Sequence, residues 1–245
     1  MRFKLVFLSL ALFGCSGAAP PSDPDSMQPA SEMPQEHVLV SFDADAVGAM
    51  PGQFLASRTG GGREGVWRVE QVERAPSGTQ AVVQTDADRT SYRFPLLVYD
   101  QFRVRDVDVS VAFQAVSGRV DQAAGLVWRL QNANNYYVVR ANAKEDNVVL
   151  YKVENGERSD LQVKGRRGNT YGVDVDVPDS GWSTLRVTAR GSLFEVYLNG
   201  RKLFEVEDST FGEPGWVGLW TKADSVTRFD DLRIANLDVA EGAGQ

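Results

Sequence analysis

Residues Ala124 to Lys164, AGLVWRLQNANNYYVVRANAKEDNVVLYKVENGERSDLQVK, decide the fold. Leu126, Trp128 and Leu130 alternate with Val127 and Arg129, and Tyr136, Val138 and Arg140 alternate with Tyr137, Val139 and Ala141. That is the two-residue period of half-buried strands, and helical spacing fits none of it. Between the strands lie turn segments, Gln131 to Asn135, Ala143 to Asp146 and the pair Asn155-Gly156, the last suited to a hairpin that needs positive φ. A meander of this kind must bury one face, and a second sheet is the natural cover. Working outward, Phe102 to Ala115 places Val107, Val109, Val111 and Phe113 on one face and Asp106, Asp108, Ser110 and Gln114 on the other. A slip of one residue would bury the carboxylates, so register is fixed. Leu185, Val187 and Ala189, then Phe194, Val196 and Leu198, repeat the pattern up to the Asn199-Gly200 hairpin signal. Val38 to Phe42, Val66 to Val72, Ala81 to Gln84 and Tyr92 to Tyr99 are strands on the N-terminal side, with Pro95 suggesting an edge or a bulge. Gly215 to Thr221 and Val226 to Ala235 close the domain, and short turns around Ser209 to Glu213 are the nearest approach to a helix.

The 245 residues, 42% of them hydrophobic, suffice for one all-β domain, placed at residues 37–240 with a short tail at 241–245. The chain opens MRFKLVFLSLALFGC, where Arg2 and Lys4 precede an apolar run too short to span a bilayer but right for an export signal, residues 1–14. Leu12-Phe13-Gly14-Cys15 resembles a bacterial lipobox, which implies lipidation of Cys15; an ordinary signal peptide with a chance cysteine is the alternative. Cys15 is the single cysteine, so no disulfide competes for it. Several acyl chains on one residue anchor stably, so the membrane is a partner through the lipid alone. Ser16 after the cysteine implies, by the same resemblance, the outer membrane. Residues 15–36, rich in Pro, Ser and Ala, read as a disordered tether. A net charge of -7 argues against a nucleic-acid partner, and the basic Lys164-Gly165-Arg166-Arg167 reads as a solvated loop.

GLVWRLQNANNYYVVRANAKEDNVVLYKVENG, together with Trp182 to Val206 and Gly215 to Ile234, resembles the concanavalin A-like lectin/glucanase superfamily, with its laminin G-like and 3-keto-disaccharide hydrolase branch as the nearer likeness. The resemblance covers the chain from about Ser41 to Leu237. It implies a jelly-roll sandwich of two antiparallel sheets. Three functions come with it: glycan binding, cleavage of 3-keto-disaccharides, and docking of a protein partner as laminin G-like modules do. Fold alone does not choose among them.

In that superfamily the concave outer face carries ligands, and the two-residue period names its candidates here. Arg129 is the polar member of its strand, Arg140 and Asn142 share a face on the next, and Trp220, Lys222 and Asp224 point opposite to Val217 and Leu219. An aromatic ring covers the C–H face of a sugar while fixed donors and acceptors read its hydroxyls. The bland alternative is a partly buried Trp220 with charges that merely solvate the sheet. Tyr136 and Lys144 are weaker candidates near the same turns. Asp43, Asp230 and Asp231 come from the two ends of the domain, which superfamily members bring side by side, and an oxygen-rich set of that kind favours calcium, with turn capping as the default. Gly60 to Gly65 superficially resembles a phosphate loop but precedes a strand and lacks the Lys-Ser/Thr ending, so it reads as a flexible surface loop. His37 is the sole histidine and stands where tether meets domain, which leaves Ser-His-Asp and His-ligated zinc chemistry without support. The Glu-x-Asp-x-x-Glu strand of many family-16 glycoside hydrolases is missing from the chain. Two carboxylates brought together from distant strands remain open as an acid and base pair, and no catalytic residue transfers from the resemblance.

Overall fold

The computed structural model describes residues 37–238. The export signal, Cys15, the tether and the tail lie outside the described residues. Strands follow one another as β1 (His37–Val40), β2 (Phe54–Gly60), β3 (Trp67–Gln71), β4 (Gln80–Gln84), β5 (Arg93–Val104) and β6 (Val107–Ser117). The deciding stretch supplies β7 (Ala123–Asn132), β8 (Asn135–Asn142), β9 (Asn147–Glu154) and β10 (Glu157–Asp160). The rest are β11 (Val173–Asp174), β12 (Ser183–Arg190), β13 (Leu193–Leu198), β14 (Arg201–Glu207), β15 (Gly215–Trp220) and β16 (Val226–Asn236). A back sheet runs β14-β13-β12-β6-β16-β4-β3, with β1 also on β16; a front sheet runs β10-β9-β8-β7-β15-β5-β2, with β11 on β9. This is the two-sheet sandwich that the alternation predicts and the jelly roll that the resemblance implies, and every strand pair in it is antiparallel.

The pattern on β6 explains the back sheet. Val107, Val109, Val111 and Phe113 enter the core between the sheets, while Asp108 on the outer side pairs with Arg186 of β12 and Gln114 accepts from Arg228 of β16. Across the core, Trp128 stacks on Tyr137 at 5.5 Å, and Phe194 meets both rings, at 5.3 and 4.7 Å. Each such fully buried side chain contributes roughly 1.5–3 kcal/mol, which is why the turn chemistry only has to steer the chain and not hold it.

Two expectations change in the structure. Pro95 is on neither an edge nor a bulge; β5 runs between β2 and β15, with Pro95 opposite Arg58 and its carbonyl accepting from Thr221 N–H at 3.0 Å. The alternation on β7 breaks at Arg129, whose φ of 47° makes a bulge. Leu126 and Trp128 therefore face the inter-sheet core, whereas Leu130 joins the opposite face.

That opposite face is itself buried. Phe94, Leu96, Val127, Tyr136, Val138, Tyr151 and Trp220 form a second apolar cluster on the side of the front sheet away from the back sheet. Among the described residues no third layer covers it, and the sheet covers itself. Although β7, β15 and β5 separate β8 from β2, Thr59 Oγ1 donates to Ala133 O at 2.5 Å and lies 2.7 Å from the Tyr136 hydroxyl, which is left to donate to it. Tyr92, beside the start of β5, donates to Gly156 O at 2.9 Å and accepts from the Arg158 N–H at 2.6 Å. Twist and curl thus roll the front sheet until diagonally opposite corners touch, and its concave face fills with its own aromatic side chains.

Candidate functional site

Four of the residues named from the sequence are brought together at the rolled sheet, around Asp121 and Glu145. Arg140 on β8 donates to Glu145 at 2.9 Å and to Asn147 at 2.5 Å. Lys222 lies 3.0 Å from Asp121 and 4.0 Å from Glu145, and Asn142 donates to Asp121 at 2.8 Å. Asp224 turns away from solvent and accepts the backbone N–H groups of Arg119, Val120 and Asp121 at 2.8, 2.9 and 3.1 Å. Burial pushes its carboxyl up, but those N–H groups outweigh burial and hold it below the usual carboxylate range.

The expected exposed face is corrected at several positions. Arg140, Asn142 and Trp220 are 0% exposed. Trp220 stacks on Phe94 at 5.1 Å inside the rolled sheet and offers no ring to solvent. Lys222 and Asp224 follow the end of β15, where Ala223 takes a φ of 48°, so strand periodicity does not place them. Arg129 leaves the group altogether. The bulge sends its guanidinium to the carbonyls of Arg105, Phe211 and Gly191 and to Asp106, at 2.6 to 3.0 Å. Of the weaker candidates, Tyr136 is buried at the corner contact, and Lys144 donates to Arg119 O at 2.6 Å.

Several residues that sequence reasoning missed complete the site. Tyr151 lies next to Arg140, 5.7 Å from guanidinium to ring centre, and donates its hydroxyl to Tyr171 at 2.7 Å. Its other neighbour is Arg158, 4.4 Å from the ring and 4.8 Å from Phe94. Tyr92 and Tyr171, 43% and 46% exposed, are the rings of this arc that reach solvent. Burial pushes Glu145 up, and Arg140, Asn147 and Lys222 together bring it below the usual range. Burial drives the Tyr151 phenol far above its ordinary value, so it stays protonated. Alternation on β9 marks Tyr151, but nothing local marks Arg158, whose setting depends on contact between distant corners. Arg93, also missed, is fully buried and binds the carbonyls of Arg63, Glu64 and Ala223 and the Asp86 carboxylate. Through it the Gly60 to Gly65 loop is pinned, where the sequence suggests freedom.

Asp43, Asp230 and Asp231 do meet, around one turn. Asp43 accepts from Thr79 and Gln80 N–H at 2.8 and 3.2 Å, Asp230 from Ser77 and Asp231 N–H at 3.2 and 2.7 Å, and Asp231 from the Ser77 hydroxyl at 2.8 Å. These bonds tie all three carboxylates to the turn, and among the described residues no group of three or more His, Cys, Asp or Glu side chains is arranged to hold a metal ion. The contacts are those of the turn capping given as the default. His37 begins β1 and lines a cleft of about 480 Å³ on the back sheet with Leu39, Asp108, Arg186 and Arg233. There Arg186 and Asp108 already satisfy each other.

Residues 60–235 match the family of 3-keto-alpha-glucoside-1,2-lyase-like domains. A levanase of Bacillus subtilis (strain 168) is 33% identical over 98 residues, 40% of this chain and 13% of the levanase, so the likeness spans a small part of that protein. Among solved structures, the carbohydrate binding module CBM66 from Bacillus subtilis superposes with a TM-score of 0.52 at 21% identity, over 69% of this chain and 95% of the module. Domain 4 of AbnA, a GH43 extracellular arabinanase from Geobacillus stearothermophilus in complex with arabinotriose, gives 0.51 at 15% identity, over 82% and 94%. At these identities the superpositions establish the sandwich fold.

Proposed function

The chain belongs to the family of 3-keto-alpha-glucoside-1,2-lyase-like domains, and from that premise we propose that it is a carbohydrate-binding domain whose ligand lies at the rolled front sheet, beside Tyr171 and the Arg140–Glu145–Lys222 network. The observation that carries this reading is the exposed Tyr171 ring tied to that network through Tyr151. A solvent-facing ring with pre-set donors and acceptors beside it suits a sugar, which needs both. The names of the levanase and of the arabinotriose complex make levan and arabinotriose the first ligands to try. In this reading the export signal and Cys15 carry the domain to the cell envelope as a lipoprotein, by proposal at the outer membrane.

Cleavage of a 3-keto glycoside is the second reading, favoured by the family's own name. The electrostatics weigh against it. A general base works best with a pKa near the operating pH, yet Glu145 is held low and Tyr151 far up. The carboxyl that does move toward neutrality, Asp230, is buried under the Ser77 turn, away from this network.

Calorimetric titration of the full chain with levan oligosaccharides and arabinotriose, beside mass spectrometry of a 3-keto-disaccharide incubated with it, separates the readings. We expect saturable binding without new products, and a Tyr171→Ala variant that folds normally but binds about tenfold more weakly, ~1.4 kcal/mol. Product formation by the native but not the heat-denatured chain would replace the binding reading with the catalytic one. Tyr171→Ala with unchanged affinity would remove the site.

A further inference from the structure

Among the described residues Arg158 is a cation without a counter-ion. Its guanidinium sits between the Phe94 and Tyr151 rings, at 4.8 and 4.4 Å. Among the described residues, none of its guanidinium N–H groups has a hydrogen-bond acceptor and no carboxylate forms an ion pair with it; Nη1 is shut off from water as well. Asp160, two residues on along β10, is on the same face and leaves it unpaired. Nη1 is the unusual atom, because a buried donor normally finds an acceptor. The other cations nearby are answered: Arg140 by Glu145 and Asn147, Lys222 by Asp121. Even so, Arg140 Nε is a second buried donor without an acceptor. Both deficits are of acceptors, and both lie against the same ring, Tyr151.

Neutral sugars offer hydroxyls, each of which donates as well as accepts. What Arg158 lacks is an acceptor that also carries negative charge, and a guanidinium fork matches a planar carboxylate in two parallel hydrogen bonds. Tyr92 and Tyr171 stand exposed near the two sides of the guanidinium: Tyr92 contacts Phe94 at 4.7 Å and holds the Arg158 backbone N–H, and Tyr171 meets Tyr151 at 6.0 Å. Resting on the carbohydrate-binding reading above, we propose that Arg158 is a specificity-determining residue and that the ligand of this face is an acidic glycan whose uronate carboxylate pairs with it. The chain's net charge of -7 does not oppose this, since at physiological salt distant surface charges are screened within about 8 Å.

The test is calorimetry of the full chain with short oligomers of galacturonate, guluronate and glucuronate, each as the free acid and as its neutral methyl ester, with a sulfated neutral trisaccharide for comparison. At least one acid should bind about tenfold more tightly than its ester in about 50 mM salt, with the gap narrowing in about 500 mM. In Arg158→Gln the acid should fall to the affinity of the ester while the ester holds its own, and Arg158→Lys should retain part of the preference, because it keeps the charge without the fork. Since the wild-type comparison of acid with ester needs no variant, a folding defect in Arg158→Gln does not shield the idea. Equal binding of acid and ester, equal weakening of both by Arg158→Gln, or preference for the sulfated sugar overturns the uronate assignment. So does binding of levan or arabinotriose alone, which leaves the carbohydrate-binding reading standing. Failure of every sugar to bind removes both.

Discussion

Under the Ser77 turn the Asp230 carboxylate accepts two backbone N–H groups, yet burial, with Asp231 and Asp43 nearby, still pushes its pKa up to about 6 from an ordinary 3.8. Between about pH 4 and pH 6 the folded chain therefore keeps a proton that the unfolded chain has released. Stability from this group falls as pH rises through that window, by roughly 1–3 kcal/mol, and stays at the lower level above it. Asp224, Asp208 and Glu145 act in the opposite sense. Their folded pKa values are depressed, at Asp208 because hydrogen bonds from the Tyr137 hydroxyl and the Thr210 N–H outweigh burial, so the stability they give is present above the ordinary carboxylate range and is lost only as pH falls below it. Thermal melts in half-unit steps from pH 4 to 7 should show the native chain losing stability across the window. Asp230→Asn should flatten that slope while lowering stability at every pH, because the amide offers a donor where one of the two N–H groups needs an acceptor. A slope that survives the substitution would place the titrating group elsewhere.

At the level of strands, legibility follows burial. On β6 and β12 one face is core and a slip would bury charge, so the alternation of Val107 to Phe113 and of Leu185 to Ala189 predicts both strand and facing. It fails on β7, because a positive φ at an arginine leaves no mark in composition, and the bulge there reassigns Arg129 from the sugar face to a set of carbonyls. What holds the bulge is the neighbouring strand. A Cβ at Gly215 of β15 would collide with the backbone of Arg129 and Leu130, so this glycine is the space into which the bulge fits. Gly215→Ala should force β7 and β15 apart and cost about 1–3 kcal/mol, as overpacking does. Urea denaturation measures it, and an unchanged midpoint would show that the two strands part there without cost.

Over the whole molecule, the pieces of the site were visible in the sequence and their arrangement was not. Arg140, Asn142, Lys222 and Asp224 do meet, but as side chains already engaged, the first three by Glu145, Asn147 and Asp121 and Asp224 by backbone N–H groups, because the front sheet rolls onto itself and buries the face that an open sheet would present. Rolling depends on contacts between Thr59 and Tyr136 and between Tyr92 and the Gly156–Arg158 segment, pairs distant along the chain, which no local pattern announces. The same closure turns Trp220 from a sugar platform into core and sets Arg158 between two rings. If the corners touch in solution, Thr59 and Tyr136 are energetically coupled. Thr59→Val and Tyr136→Phe each remove a hydroxyl, and a double-mutant cycle by urea denaturation should return a coupling of about 0.5–1.5 kcal/mol, the net worth of one buried hydrogen bond. Thr59→Val also orphans the Ala133 carbonyl, but that cost appears in both arms of the cycle and cancels. Strictly additive losses would mean that the front sheet stands open, its aromatic face exposed to water and to ligands.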